Sequence, residues 1–203
     1  MKPNKKSKKI AITGGIGSGK STVSRILREK GFTVFSCDDI YKEVIVSSEY
    51  LTALKTRFPV EYFDENGEID RKKLAKSVFE NAQVREEINA ISHPLIMRQL
   101  NECMEKINDE IVFAEVPLLF EGDFEHMFDG VLVVMADRAK RIENVQNRDG
   151  LRIDDIEKRM QSQFDYDSIE LEKRVKACSA YILDNSSTIQ DLERGVEQYL
   201  KSL

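Results

Sequence analysis

The sequence feature that most constrains the fold is a glycine-rich segment near the N-terminus, which reads Gly14-Gly15-Ile16-Gly17-Ser18-Gly19-Lys20-Ser21. It fits the phosphate-loop pattern G-x-x-x-x-G-K-[ST] at every fixed position. The apolar, β-branched run at residues 9–13 predicts a buried strand before the loop, and apolar residues at helical spacing follow it up to Gly31. A strand, a glycine loop and a helix in this order aim the helix N-terminus at a phosphate. The segment therefore predicts a nucleoside triphosphate site, and this context disfavours a chance glycine-rich turn.

Each residue type in the loop has a physical role. Glycines adopt backbone dihedrals that are closed to other residues, which brings successive N–H groups against phosphate oxygens. Lys20 adds a positive charge near the β/γ-phosphates, and the Ser21 hydroxyl is placed to bind Mg²⁺. We predict that the nucleotide is bound by Gly15, Ile16, Gly17, Ser18, Gly19, Lys20, Ser21 and Thr22.

Composition excludes several other classes of protein. The 203 residues, of which 41% are hydrophobic and 33% charged, are typical of a soluble chain with one sizeable core. A net charge of −5 disfavours a general binder of nucleic acid or membrane surfaces. No run approaches the ~18 apolar residues of a membrane span.

Residues 1–9 are rich in lysine and lack the apolar region of a signal peptide, so we expect a frayed, solubilising tail. The three cysteines are scattered and without C-x-x-C spacing, which indicates reduced thiols and a cytoplasmic protein.

Further apolar runs predict strands at residues 33–36, 111–116, 130–135 and 180–183. They alternate with helical patterns, which indicates a doubly wound α/β sheet. From residue 40 to residue 108 the pattern is helical, with a turn at 64–67 and an interruption at His93-Pro94. This block is longer than a crossover between strands requires, and we expect it to form a pocket beside the core.

Acidic residues lie at the ends of two predicted strands. Asp38 and Asp39 follow the second strand, and Glu115 lies near the end of the third. Because ligands of open parallel sheets bind beyond the carboxyl ends of the strands, an acid there is expected beside the phosphate loop. Consecutive residues leaving a strand point to opposite sides, so only one aspartate is expected to reach an acceptor. The alternative role, above all for Asp39, is to cap a helix that begins near Ile40. Glu115 occupies a position like that of a Walker B carboxylate, which acts through Mg²⁺ or its water shell.

A basic helical region follows the fourth predicted strand. Arg141 and Arg148 are seven residues apart and so share a helix face. Gly150 is expected to end this helix, and Asp154 with Glu157 predicts a capping box on the next one. Arginines on a helical hairpin are one way in which kinases clamp a transferring phosphoryl group. The alternative is a solvated face, since acidic residues lie among the arginines.

A motif for guanine recognition, Asn-Lys-x-Asp, is absent from the sequence, which disfavours a switch GTPase.

Five blocks of the chain carry a more specific signal. In order, they are the loop at residues 13–22, Gly67-Glu68-Ile69-Asp70-Arg71 with Phe79, His93-Pro94-Leu95-Ile96, Val116-Pro117-Leu118-Leu119-Phe120-Glu121, and Asp184-Asn185. With these blocks the chain resembles the dephospho-coenzyme A kinase family, and the resemblance covers nearly the whole chain.

The resemblance implies transfer of the γ-phosphoryl group of ATP to the ribose 3′-hydroxyl of dephospho-coenzyme A with Mg²⁺, the last step of coenzyme A synthesis. It implies a P-loop NTPase-type three-layer α/β fold with a five-stranded parallel sheet, whose nucleotide-binding core covers residues 8–38, 110–136 and 178–203. A helical acceptor-binding insertion is expected at about 39–109 and an arginine-bearing lid at about 137–177. The implied catalytic residues are Asp38 as general base with Lys20, Arg148 and Arg141, and the implied acceptor contacts are Asp38, Arg71, Phe79, His93 and Leu118.

The chain departs from the family pattern next to the expected base. The family's Asp-Ala-Asp element reads Ser36-Cys37-Asp38 here, and Lys42 replaces the arginine that follows it. Lys42 keeps the charge but loses bidentate phosphate geometry.

Two other functions stay open: a nucleoside or nucleoside-monophosphate kinase, which shares the loop and the lid, and a nucleotide-dependent switch without an acceptor. The expected partners are ATP and dephospho-coenzyme A, with no nucleic acid and no membrane, and the expected assembly is a monomer or a weak homo-oligomer.

Overall fold

The computed structural model describes residues 7–203, apart from the side chain of Phe79. The described chain divides into two compact units, the first formed by residues up to 36 together with 104–203, and the second by 37–103. Most of the lysine-rich tail expected at residues 1–9 lies outside the described residues. Among those described, no helix is both long and apolar enough to cross a membrane.

The first unit contains a parallel sheet of five strands, in the order β2-β3-β1-β4-β5 within residues 7–203. Each strand agrees with its predicted range to within one residue at either end, and the predicted α/β fold is confirmed. The long apolar runs are strands because both faces of such a sheet are covered by helices. The strands are β1 (Lys8–Thr13), β2 (Thr33–Ser36), β3 (Ile111–Glu115), β4 (Gly130–Met135) and β5 (Tyr181–Asp184).

Helices connect these strands and fill the second unit. In chain order they are α1 (Lys20–Glu29), α2 (Cys37–Val44), α3 (Ser48–Arg57), α4 (Arg71–Glu80), α5 (Ala82–Glu105), α6 (Arg138–Asp149), α7 (Ile153–Gln161), α8 (Ile169–Ala177) and α9 (Ile189–Lys201).

The core of the first unit is centred on β1, which lies between β3 and β4. Ile10 of β1 is opposite Phe113 of β3, and both are fully buried. Helices α1 and α9 cover this part of the sheet with apolar stripes that include Leu27 and Val196. Because β1 leads directly into the phosphate loop, this core fixes one end of the loop.

The helix ends of the first unit agree only in part with the sequence patterns. Gly150 ends α6 in the left-handed conformation, with φ of 66°, as predicted. The predicted capping box of Asp154 with Glu157 is wrong, because α7 already begins at Ile153 after Arg152 and has no side-chain cap. Asp154 instead lies in the first turn, where a carboxylate is favoured by the helix dipole.

The second unit is helical, as its pattern predicts. The turn at residues 64–67 is present, and the Asp64 carboxylate accepts hydrogen bonds from the backbone N–H groups of Asn66 and Glu68. The interruption predicted at His93-Pro94 is wrong, since α5 continues through Pro94. A proline inside a helix costs about 3 kcal/mol. Buried residues on both sides of Pro94, such as Ile88 and Leu100, supply the packing that offsets this cost.

Candidate active site

The phosphate loop connects β1 to α1, and its glycines are required by close neighbours. Gly17 has φ of 77°, and a Cβ there would lie 2.2 Å from the carbonyl oxygen of Arg141. Gly19 has φ of 99°, and a Cβ there would lie 2.2 Å from Nδ2 of Asn185. A side chain at either position would therefore meet both steric overlap and an unfavourable backbone conformation. The loop residues predicted from the pattern run without a break from the turn at residues 15–18 into the first turn of α1.

Side chains from outside the loop bond three successive loop carbonyls. Arg141 donates from Nε to the oxygen of Ile16 at 3.1 Å, and Asn144 donates from Nδ2 to that of Gly17 at 2.8 Å. Asn185, which follows β5, donates from Nδ2 to the oxygen of Ser18 at 2.8 Å. These bonds hold the carbonyl groups of the loop in place, and a fixed set of backbone N–H groups is what an anion-binding loop needs.

Sequence reasoning missed the role of Asn144 entirely and quoted Asn185 only as part of a family block. Asn185 follows the carboxyl end of a strand, where ligands of parallel sheets bind, and this position could have identified it. Asn144 lies within a charged helix and offers no comparable signal in the sequence.

Lys20 lies over the loop that it belongs to. Its Nζ donates to the carbonyl oxygens of Gly14 at 2.8 Å and Gly15 at 3.1 Å, and the residue is 9% exposed. The ammonium group is therefore already held at the loop, where it can exchange carbonyl partners for phosphate oxygens. Ser21 and Thr22 follow in the first turn of α1, and Ser21 is exposed.

The structure places the two predicted lid arginines in different surroundings. The side chain of Arg141 is only 6% exposed, contacts the loop, and has Nη1 3.8 Å from Oδ2 of Asp167. Burial lowers the pKa of Arg141 from its ordinary value, and the charge of Asp167 opposes that shift. Arg148 is 60% exposed, and its Nε and Nη2 donate to the carboxylate of the adjacent Asp149. Arg141 is thus the arginine that the fold brings to the loop.

The segment between α7 and α8 also contacts the loop, which the sequence did not predict. Gln163 accepts a hydrogen bond from the backbone N–H of Ile16 at its Oε1, at 2.8 Å. The buried hydroxyl of Tyr166 lies 2.9 Å from Oγ1 of Thr13, the last residue of β1. One N–H of the predicted nucleotide site is therefore occupied by a protein amide oxygen.

Glu121, from the Pro-Leu-Leu-Phe-Glu block, fastens the same segment. Its Oε1 accepts from the backbone N–H of Phe164 at 2.8 Å. The ring of Phe120 lies against those of Phe164 and Tyr166, at centroid distances of 5.1 and 6.0 Å. The block after β3 thereby connects to the segment that covers the loop.

The expected base lies at the start of the second unit. Helix α2 begins at Cys37, so the expectation that a helix begins near Ile40 is wrong, and Asp38 and Asp39 both lie in its first turn. The two carboxylates are therefore about 100° apart around a helix and not on opposite sides of a strand. Asp39 accepts a hydrogen bond from Nζ of Lys42 at 2.7 Å. This ion pair occupies Asp39 and raises the pKa of Lys42.

The predicted acceptor contacts are spread over both units. Arg71 is the first residue of α4, and Phe79 lies near the end of that helix. His93 lies within α5 and is half-buried, which lowers its pKa. Leu118 lies after β3 in the first unit and is half-buried.

Few of the described residues are available to a metal ion at this site. No group of three or more histidine, cysteine, aspartate or glutamate side chains within residues 7–203 is arranged to bind a metal. Glu115 accepts from Oγ of Ser24 on α1 at 2.8 Å, which fixes its carboxylate at the end of β3. Ser21 presents an exposed hydroxyl at the start of α1. This set fits Mg²⁺, which is commonly bound by one or two protein groups together with substrate phosphates.

Comparison with known proteins gives consistent matches over nearly the whole chain. A protein-family model described as "CoaE: Dephospho-CoA kinase" matches residues 8–191. The chain is 36% identical over 194 residues to a protein named dephospho-CoA kinase from Fusobacterium nucleatum, covering 96% of this chain and 97% of that protein.

Two solved structures resemble this fold. The crystal structure of TT1252 from Thermus thermophilus matches with a TM-score of 0.77 and 35% identity, covering 97% of this chain and 98% of that one. Dephospho-CoA kinase from Campylobacter jejuni matches with a TM-score of 0.63 and 25% identity, covering 96% of each chain.

Proposed function

The chain belongs to the dephospho-CoA kinase family. From this premise we propose that it transfers the γ-phosphoryl group of ATP to the ribose 3′-hydroxyl of dephospho-coenzyme A. We propose Asp38 as the general base. The activity of the family is the ATP-dependent phosphorylation of dephospho-coenzyme A, the final step of coenzyme A synthesis. Membership disfavours a nucleoside kinase and a nucleotide-dependent switch.

The observation that carries the proposal is the phosphate loop, with Lys20 held over it and Arg141 buried against it. A loose phosphoryl-transfer transition state spreads negative charge over the oxygens of the transferring group. Lys20 and the loop N–H groups supply fixed positive charge and dipoles for the phosphates of ATP. Arg141 adds a guanidinium group whose Nε is already bonded to the loop, so it is oriented before the substrates bind.

Mg²⁺ belongs to this proposal, with the Ser21 hydroxyl as its protein ligand. When bound, Mg²⁺ neutralises charge on the β- and γ-phosphate oxygens. Ser21 lies in the first turn of α1, beside Lys20, so one turn of helix presents both an ammonium and a hydroxyl to the phosphates.

Asp38 is proposed as the base because of its chemistry and its position in the chain. A sugar hydroxyl loses its proton late in a loose transition state, so the base orients the hydroxyl and then accepts the proton. Asp38 lies two residues after the end of β2, in the first turn of α2. The ion pair of Asp39 with Lys42 supports assigning the role to Asp38, whose neighbour is already engaged.

The remaining assignments follow the family resemblance. We propose that Arg71, Phe79, His93 and Leu118 contact the acceptor and that Arg148 joins the phosphates through a lid at about 137–177. The helical insertion at about 39–109 is the proposed acceptor-binding domain. We also propose that the protein is cytoplasmic, is a monomer or a weak homo-oligomer, and binds no nucleic acid.

The test combines product identification with a matched pair of variants. Dephospho-coenzyme A incubated with ATP and Mg²⁺ is expected to gain one phosphate at the 3′-position, as detected by mass spectrometry. Asp38→Asn keeps the shape of the side chain and removes its basicity, so kcat should fall by about 10²- to 10⁴-fold. Asp39→Asn should cost well under tenfold, and ATP affinity should change little in either variant. If Asp39→Asn is the inactive variant, the assignment of the base is wrong.

A further inference from the structure

A buried serine inside α1 makes a hydrogen bond that neither the phosphate loop nor the helix requires. Ser24 is 0% exposed and lies four residues after Lys20, in a part of the helix where Val23 and Leu27 are also buried. Serine is a weaker helix former than alanine, and burying a hydroxyl costs free energy unless it is hydrogen-bonded. A serine at this position therefore needs a partner that an alanine could not serve.

The partner is the carboxylate of Glu115. Oγ of Ser24 donates to Oε2 of Glu115 at 2.8 Å, and the two residues are 91 positions apart in the chain. Hydrogen bonds to an ionised carboxylate are roughly twice as strong as neutral ones, so this bond fixes the direction of the Glu115 side chain. The bond uses one carboxylate oxygen and leaves Oε1 for other donors.

The carboxylate lies at the edge of the sheet where a ligand is expected. Glu115 is the last residue of β3, and ligands of parallel sheets bind beyond the carboxyl ends of the strands. Strand β3 lies between β1 and β2, and the residues opposite Glu115 on these strands are Ile12 and Ser36. Since neither of these two is charged, Glu115 alone among the three brings a charge to this level of the sheet, close to where β1 enters the phosphate loop.

Ser24 also lies one turn after the residue proposed to bind Mg²⁺. Ser21 and Ser24 are three positions apart on α1, so they share a helix face with Cβ atoms ~5–6 Å apart. Side chains on a helix lean toward its N-terminus, which is the end that faces the phosphates. Mg²⁺ bound by one or two protein groups and by phosphates keeps several of its waters. A carboxylate fixed to Ser24 is therefore placed to accept hydrogen bonds from those waters.

We propose that Ser24 is a positioning residue, which aims the Glu115 carboxylate at the water shell of Mg²⁺ bound at Ser21. The inference rests on the proposed function, which supplies the nucleotide and the metal. Protein groups that orient a metal site from outside its direct ligands contribute about 10- to 100-fold to metal affinity. Without the Ser24 hydroxyl, the carboxylate keeps its charge but loses its fixed direction, so Mg²⁺ should add less to the binding of ATP.

The test compares ATP binding with and without the metal. Isothermal titration in the absence of acceptor gives the Kd for ATP in EDTA and the Kd for MgATP in excess Mg²⁺. In Ser24→Ala the Kd for MgATP should rise about tenfold or more, whereas the Kd in EDTA should not change. Glu115→Gln should raise the Kd for MgATP at least as much. Adding Ser24→Ala to Glu115→Gln should cause no further rise, because the serine acts through this carboxylate.

Ser7→Ala is the matched control. Ser7 is 7% exposed, and its Oγ donates to the backbone carbonyl oxygens of Ile107 and Asp109. It directly precedes β1, at the end of the strand opposite to the phosphate loop. Both serine variants remove a buried, hydrogen-bonded hydroxyl and should lower the midpoint of urea unfolding. Only Ser24→Ala should change the Kd for MgATP.

The two levels of the proposal fail differently. Wild-type protein that does not phosphorylate dephospho-coenzyme A would remove both the proposed function and this inference. If the wild type is active, an unchanged Kd for MgATP in Ser24→Ala would overturn the inference alone, since the hydroxyl would then only join α1 to β3. An equal rise of the Kd in EDTA and in Mg²⁺, or a rise that persists in the Glu115→Gln background, would also overturn it.

Discussion

Replacing Gln163 with alanine is expected to tighten ATP binding. The Gln163 Oε1 accepts the backbone N–H of Ile16 at 2.8 Å, and that N–H belongs to the loop predicted to bind the phosphates. One N–H cannot make two full hydrogen bonds, so a phosphate oxygen at Ile16 must displace the amide. In the wild-type protein this internal hydrogen bond between Ile16 and Gln163 must break when ATP binds, which weakens binding. In Gln163→Ala a phosphate oxygen displaces only water from the Ile16 N–H, so ATP should bind more tightly.

The magnitude follows from the worth of one neutral hydrogen bond. Such a bond contributes about 0.5–1.5 kcal/mol net. Since each 1.4 kcal/mol is about a factor of ten in affinity, the Kd for ATP should fall by roughly 2- to 13-fold. The aromatic contacts of Phe164 and Tyr166, together with the bond from Phe164 to Glu121, should hold the segment in place without the Gln163 side chain.

Isothermal titration with MgATP in the absence of acceptor measures this change. Gln190→Ala is the matched control, because Gln190 is an exposed residue at the start of α9 and should leave the Kd unchanged. A weaker Kd in Gln163→Ala would show that Gln163 contacts the nucleotide itself. An unchanged Kd would show that Ile16 does not give its N–H to a phosphate, and either result refutes the displacement argument.

Three further predictions concern the loop, the lid and the fold. Lys20→Ala should lower kcat by about 10²-fold or more with the fold intact, and an unchanged kcat would remove the loop from the mechanism. Arg141→Lys and Arg148→Lys should both lower kcat, because lysine lacks the two parallel N–H donors with which arginine binds a phosphate. An unchanged kcat in Arg148→Lys would show that Arg148 only faces solvent. Thr188→Ala removes the capping box with Asp191 and should lower the free energy of unfolding by about 1 kcal/mol, measured by urea denaturation, and an unchanged midpoint would contradict this.

The sequence alone predicted the features that depend on residues close together in the chain: the strands, two helix ends and the phosphate loop. The apolar runs predicted the five described strands to within a residue. The three central strands are almost wholly buried, and a strand buried on both faces requires such residues, whereas β2 and β5 at the sheet edges are only partly buried. Gly31 and Gly150 marked helix ends because both have positive φ, which other residues adopt at a cost. The phosphate loop could be recognised from the sequence because its glycines, Lys20 and Ser21 match the fixed positions of a pattern in which each residue type is expected to have a separate physical role.

Local pattern was insufficient where packing decided the outcome. The helix α5 continues through Pro94 because buried residues on both sides offset the lost hydrogen bond. Helix α2 begins at Cys37, three residues earlier than expected, and this places both aspartates on one helical turn.

The environment of the loop could be decided only by tertiary structure. Arg141 and Arg148 are equivalent in the sequence pattern, yet one is buried against Ile16 and the other is paired with Asp149 in solvent. The contacts of Asn144 and Gln163 with the loop join residues more than 100 positions apart in the chain. A periodicity argument concerns neighbours along one element, so it cannot detect which distant side chain satisfies a given backbone group.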